Sequence, residues 1–439
     1  MVQVSPLAVP LRTLLLVFAF LIAPFEVLRA DEFVCAGTSP AAAKPLVQSS
    51  GTLNALVVFT KFQGEAVGDE QAPTWAADLF DPDLPGSFAH FYDEASRGRL
   101  LVRGSVASKR YSSLRPASAY VADRPGVQGR FGQFNLEILE QVDPDVDMGL
   151  YDNDGVDGMP NSGDDDGYVD VVFINLLTVP QNFFISGATG FASLGLDTDF
   201  FSDDAAAGGG RIKIRSRFSG FGGTTQRGHV FSVTASTMCH EFGHVLGLPD
   251  LFDQSSVAIG DELDPEQDSA GIGKWGLMGL GTLGWGIEDG PNAFSAWSLA
   301  QLGWVDVVEI SSSRTGLVID NIDAGGAVFK IPIGYDEYLL LENRQASDSY
   351  YNRNVPGTGL LVWHVDDQAD NDEERHKRVD LVCADGLYSD RGFPGALPDP
   401  RAGRDNLDFW SRDASYAQAR NGNQGDATDA FDGVERTRL

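Results

Sequence analysis

The sequence predicts a mixed α/β fold of the α+β kind, with a sheet-and-helix part before Asp250 and a second, β-rich part after it. Two observations predict it. Strand-like apolar runs alternate with amphipathic helical stretches up to about residue 246. A Gly-rich stretch then runs to about residue 290, and strand-like segments follow it without comparable helices.

The elements can be justified in order. LNALVVFTKF, from Leu53, is a continuous apolar run of strand length, as a buried strand requires. SFAHFYDEASRGRL reads as a helix and LLVRGSVA as the strand after it. FGQFNLEILEQV carries apolar residues at helical spacing and should back a sheet. YVDVVFINLL is another core strand. ATGFASLGLDTDFFSDDAAAGGG is Gly-rich and acidic and reads as an exposed loop. RIKIRSRF alternates apolar and basic side chains, which suits an edge strand. The next helix runs from about Ser232 to Leu246, anchored by Val233, Met238, Phe242, Val245 and Leu246. Gly247 and Pro249 end it. AVFKIPIG, EYLLLENR and GLLVWHVD read as later strands, and residues 391–439 are polar and acidic without strong periodicity.

Composition narrows the function classes. A hydrophobic content of 43% in 439 residues can build a large core and excludes a disordered chain. The net charge of -31, from 63 acidic and 32 basic residues, argues against nucleic-acid binding, because phosphate contacts need Lys and Arg. It fits a solvated surface, high-salt surroundings or bound cations. Arg12, the apolar run TLLLVFAFLIAPF and Ala30 before Asp31 read as an export signal, which predicts a secreted, extracellular protein. The run is short for a permanent membrane anchor, so no stable membrane association is expected. The three cysteines, Cys35, Cys239 and Cys383, allow at most one disulfide within the chain. Cys239 suits a small buried hydrophobe. Cys35 and Cys383 could pair in an oxidising compartment, and a lone Cys35 capping a metal is the weaker alternative.

The central motif is MCHEFGHVLGLPD. Positions i and i+4 share a helix face, so His240 and His244 can aim two imidazole nitrogens at one zinc ion. Glu241 lies beside them, placed to take a proton from water rather than to bind metal. A catalytic zinc needs a third protein ligand. Asp250 is the best candidate, since Gly247 permits the turn that returns it to the metal; a Glu from elsewhere is the alternative. Asp253 is the nearest competitor and better suits a cap or a structural cation. In KWGLMGLGTLGWG, Met278 is flanked by glycines as in a tight turn. It reads either as the floor of the zinc site or as an ordinary core methionine.

A second signal runs from Asp152 to Asp170. DNDG and DDDG set carboxylates at alternate positions, as hard calcium requires, with Asp152, Asp154, Asp157, Asp164, Asp166 and Asp170 as candidate ligands. No bidentate Glu closes the loop, so it is not an EF-hand. The bland reading is a solvated acidic loop. His364 is expected to be structural, with an oxyanion-stabilising role as the alternative, and Asp366 and Asp367 are weaker cation candidates.

Taken together, HEFGHVLGLPDLFD, KWGLMGLGTLGWG, EYLLLENRQ, PGTGLLVWHVD, YDNDGVDG…DDDGYVDVVFI and HKRVDLVCADG resemble the M6 peptidases, the immune-inhibitor-A-like metalloproteases. The resemblance covers most of residues 50 to 390, in the family's order. It implies a metzincin-like zincin domain with a mixed sheet, a zinc-site helix and a Met-turn, followed by further β structure. It also implies one catalytic zinc on His240 and His244, catalysis by Glu241, structural calcium, secretion, and protein or peptide substrates cut by endopeptidase action. The implied organisation is a signal peptide at 1–30, a short pro-segment or linker at 31–50, a catalytic domain at 51–390 and an acidic C-terminal segment at 391–439. GMPNSGD interrupts the acidic stretch, and the pro-segment is short for the family. A catalytically inactive, calcium-stabilised binding protein on a protease fold is the rival reading.

Overall fold

The computed structural model describes residues 47–66, 70–185, 188–254, 270–286, 289–346, 349–372, 376–384, 424–434 and 437. The expected signal peptide, Cys35 and most of residues 391–439 lie outside them.

The first part is built on strand β1 (Gly51–Lys61), whose apolar run is buried on both faces. Helix α1 (Phe88–Ser96) starts where the Ser87 hydroxyl accepts the His90 N–H at 3.0 Å, and stops where Arg97 turns left-handed. Strand β2 (Leu100–Ser112) and helix α2 (Phe131–Val142) follow. Strands β3 (Val171–Leu176) and β4 (Gly190–Phe191) come next. Strands β5 (Phe200–Ala205) and β6 (Arg211–Ile214) form a separate antiparallel pair. Strand β7 (Gly223–Arg227) leads into helix α3 (Phe231–Val245). The main sheet has the order β2-β1-β3-β7-β4, with β4 alone antiparallel to its neighbour.

The strand period of two sends alternate residues to opposite cores. Ala55, Val57, Phe59, Val171 and Phe173 face α1 and α3; Leu56, Val58, Val172 and Ile174 face α2. Phe242 of α3 sits edge-on to Phe88 at 5.5 Å and to Tyr92 at 4.9 Å. From Val233 to Val245 every residue of α3 is buried, so the helix is enclosed rather than laid on a surface.

The second part contains helix α4 (Ala296–Gln301) and strands β8 (Val307–Glu309), β9 (Val328–Pro332), β10 (Glu337–Arg344), β11 (Gly359–Asp366) and β12 (Val379–Leu381). Their order is β12-β11-β10-β9-β8, antiparallel except for β8 with β9. Tyr338, Leu340, Leu361, Trp363 and Val365 join the core that holds α3, so both sheets close on one interior. Residues 424–434 return to this part. Leu360 and Phe431 exchange backbone hydrogen bonds of 3.0 Å, Lys274 N–H donates to the Gln424 carbonyl at 2.8 Å, and Trp275 Nε1 donates to Asp429 at 2.7 Å.

One expectation fails. The stretch from Ala188 to Gly210 is not a simple exposed loop: it contains β4 and β5, and Ala188, Leu194 and Leu196 are buried. Its glycines and acids masked apolar residues that pack under α2. RIKI is an edge strand, as expected, but Arg211–Ile214 belongs to the small hairpin with β5 and not to the main sheet.

The loop between α3 and α4 brings Met278 against Gly243. A Cβ built on Gly243 would stand 2.5 Å from the Met278 sulfur, closer than atoms pack. Helix propensity favours Gly243→Ala by about 1 kcal/mol, but overpacking costs roughly 1–3 kcal/mol. The expected outcome is net destabilisation in urea unfolding, with a smaller cost in a Met278→Ala background. Equal costs in both backgrounds would show that the two side chains are not coupled.

Candidate metal centre

One turn of α3 sets His240 and His244 side by side, with ring centroids 4.9 Å apart and both residues buried. His240 Nδ1 lies 2.9 Å from the Leu277 carbonyl and 3.1 Å from the Thr282 hydroxyl. His244 Nδ1 lies 2.7 Å from the Leu248 carbonyl. A carbonyl oxygen only accepts, so each Nδ1 carries a proton, and Nε2 is the atom each ring turns toward Asp250. Gly247 takes a φ of 94°, a left-handed turn that glycine adopts without strain, and the chain doubles back to Asp250.

Asp250 Oδ1 stands 3.0 Å from His240 Nε2 and 3.5 Å from His244 Nε2. In a tetrahedral zinc site with bonds of roughly 2.0–2.1 Å, ligand atoms are separated by about 3.4 Å. The two distances bracket that value, and two nitrogens with one carboxylate are a donor set zinc accepts. The residues therefore fit the metal that the sequence led us to expect. Burial opposes charge on the His244 ring, yet the adjacent Asp250 outweighs it and holds the pKa up at about 9. Burial likewise opposes charge on Asp250, and the two imidazoles hold its pKa down at about 2. The same attraction serves a cation at this point. Glu241, fully buried, follows His240 on the same helix.

Sequence reasoning missed the groups that aim these side chains. Gln254 Nε2 donates to Asp250 Oδ2, and Asn371 Nδ2 donates to the Asp250 carbonyl at 3.0 Å. The Leu251 N–H donates to the Met278 carbonyl at 2.7 Å, which ties the turn to the methionine loop. Gly243 was equally unnoticed. A glycine inside an otherwise apolar helix was its available signal. Asp253 is buried but stands outside the His240–His244–Asp250 group and hydrogen-bonds with Asp372.

In the acidic loop the structure gathers only half of the candidates. Asp152, Asp154 and Asp170 bring carboxylate oxygens within 4.8 Å of one another. Asp157 instead accepts the Met159 N–H, and Asp164 accepts the Asp157 N–H and the Ser162 hydroxyl. Asp166 pairs with Arg215 and accepts the Tyr168 N–H. Burial, then Asp165, Asp166 and Asp154, push Asp152 up to about 7. Burial pushes Asp170 up to about 8, with Asp154 and Asp152 adding to it. Asp152 Oδ1 is buried and takes no hydrogen bond among the described residues. A further trio, Asp143, Asp203 and Asp204, is drawn together from the end of α2 and from β5, a union with no local sequence signal.

The remaining candidates have protein partners. His364 Nε2 lies 2.8 Å from Glu337 on the second sheet. Asp366 pairs with His376 at 2.6 Å, and Asp367 accepts from Tyr338 at 3.2 Å. Neither belongs to a carboxylate–histidine group able to hold a metal among the described residues. Cys239 is buried, and burial pushes its thiol pKa up, which leaves it chemically quiet.

Comparison with known proteins identifies the family. The catalytic domain of the immune inhibitor A peptidase M6 family matches residues 77–304, a range that holds α3, Asp250 and Met278. Similar chains include the pre-pro-metalloprotease PrtV of two Vibrio cholerae serotype O1 strains, M66-2 and ATCC 39315. Each is 26% identical over 266 residues, covering 55% of this chain. The match spans 27% of the length of those relatives. The chain belongs to the immune inhibitor A peptidase M6 family.

Proposed function

We propose that this chain is a secreted zinc endopeptidase that hydrolyses internal peptide bonds of protein substrates. The observation that carries this reading is the convergence of two Nε2 atoms and one carboxylate oxygen at separations close to those of a tetrahedral site, with Glu241 next in sequence to His240. His240, His244 and Asp250 would hold the ion, leaving the fourth position to water and substrate. When bound, zinc supplies the Lewis acidity that makes water nucleophilic near neutral pH. Glu241 accepts the proton of the attacking water on its carboxylate and returns it to the departing amine.

The carboxylates of Asp152, Asp154 and Asp170 support a structural calcium. Oxygen donors crowded and half-desolvated, with one oxygen unsatisfied, suit a hard cation that neutralises their repulsion. Asp170 accepts the Asn54 N–H at 2.7 Å and the Asn153 N–H at 3.1 Å, which would link the ion to β1 and the loop. Residues 1–30 are read as the export signal; among the described residues no helix is long and apolar enough to cross a membrane.

Glu241→Gln is expected to retain one equivalent of zinc by atomic absorption and to cleave casein about 10²–10⁴-fold more slowly. Undiminished cleavage would sink the mechanism, and a zinc-loaded wild type that cleaves no protein would favour the inactive binding protein. Calcium is expected to raise the melting temperature of wild type, and Asp152→Asn to abolish that response while zinc stays bound. A melting curve indifferent to calcium would remove the ion from the account. N-terminal sequencing of the exported protein should begin near Asp31; a start at Met1 would contradict the signal.

A further inference from the structure

EYLLLENR forms β10, and its alternation places Tyr338, Leu340, Glu342 and Arg344 on the inner face. Two apolar residues there are followed by two charged ones, both buried at 2% exposure or less. A buried ion pair is seldom the cheapest way to fill a core, since apolar residues of similar volume often do as well. What this pair touches therefore carries information.

Arg344 Nε donates to Glu342. Its other two nitrogens leave the sheet. Nη1 donates to the Trp275 carbonyl at 2.5 Å, and Nη2 to the Phe294 carbonyl at 2.9 Å. Trp275 and Phe294 are the two limbs of the methionine loop, which are also joined by the Leu277 N–H to the Ala293 carbonyl at 3.0 Å. Glu342 receives the Ala296 N–H at 3.0 Å, where α4 begins, and Trp363 Nε1 at 3.1 Å. One planar fork thus staples both limbs from below.

Between those limbs, the loop reaches His240, the helix that carries it and the turn that carries Asp250. Leu277 offers the carbonyl that fixes His240. Met278 abuts Gly243 of α3, and its carbonyl holds Leu251, next to Asp250.

We propose that Glu342 and Arg344 are positioning residues for the metal centre, acting through the methionine loop to set the aim of His240 and the seat of Asp250. This rests on the zinc reading given above. Arg is required rather than a generic cation, because Lys lacks the fork that reaches two carbonyls and a carboxylate at once.

The test uses the full-length protein and the variants Arg344→Lys and Glu342→Gln. Zinc affinity is measured on the metal-free proteins by competition with a chromophoric chelator. The cobalt-substituted proteins give the visible spectrum, and urea unfolding of the metal-free forms reports stability. The expected result is a zinc dissociation constant raised about 10–100-fold, the usual effect of losing a partner behind a metal ligand. Altered cobalt bands and a fall in kcat with KM little changed should accompany it, in protein that remains folded. Glu342→Gln, which keeps an acceptor for Ala296 and Trp363, should shift the same readouts less.

Wild-type affinity and cobalt bands in folded Arg344→Lys would overturn the proposal. If that variant does not fold, Glu342→Gln decides, and an unchanged spectrum and affinity in it overturn the proposal equally. A wild type that binds neither zinc nor cobalt would instead fell the zinc reading itself, and the positioning role with it.

Discussion

The carbonyls of Leu277 and Leu248 determine what the two histidines can do. By accepting the Nδ1–H groups they turn both Nε2 atoms toward the carboxylate of Asp250. Neither carbonyl is held by the helix that carries the imidazoles. Leu248 lies just past its end, and Leu277 belongs to a loop that must be brought underneath. The enclosure of α3, the close contact of Met278 with Gly243, and the second sheet that carries the loop all serve that delivery. A chain with the same motif but a displaced loop would keep the ligands and lose their aim.

This division explains what could be read in the sequence. His240 and His244 were legible because a helical period is local, and Asp250 because Gly247 announces the return of the chain. The main strands were legible from apolar runs, and the family from several segments in order. Leu277 was not, since a backbone carbonyl leaves no mark on residue type. Asn371 and Gln254 were not, because ordinary amides acquire their role only by tertiary contact. The stretch that holds β5 was misread as a loop because acidic and glycine residues on its solvent side hid a face that packs inward.

The acidic loop shows the opposite limit. Alternating aspartates were visible at once, yet alternate spacing did not say which would meet. Asp157, Asp164 and Asp166 found amides, a hydroxyl and a guanidinium, leaving Asp152, Asp154 and Asp170 to face one another. Asp152, Asp154 and Asp170 accept backbone N–H groups as well, so where the fold sets each carboxylate, not charge density, sorted the set. The same holds for Asp366 and Asp367, whose charges are met by His376 and the Tyr338 hydroxyl.

The return of residues 424–434 to Trp275 bears on how such a molecule is made. The hydrogen bond from Trp275 to Asp429 joins positions 154 residues apart. A chain emerging from the ribosome through α3 and the methionine loop has its histidines but not this neighbour of Trp275. Loop closure over that span is slow relative to local folding. A growing chain therefore passes through a period in which the residues of the candidate metal centre exist without the support that residues 424–434 supply.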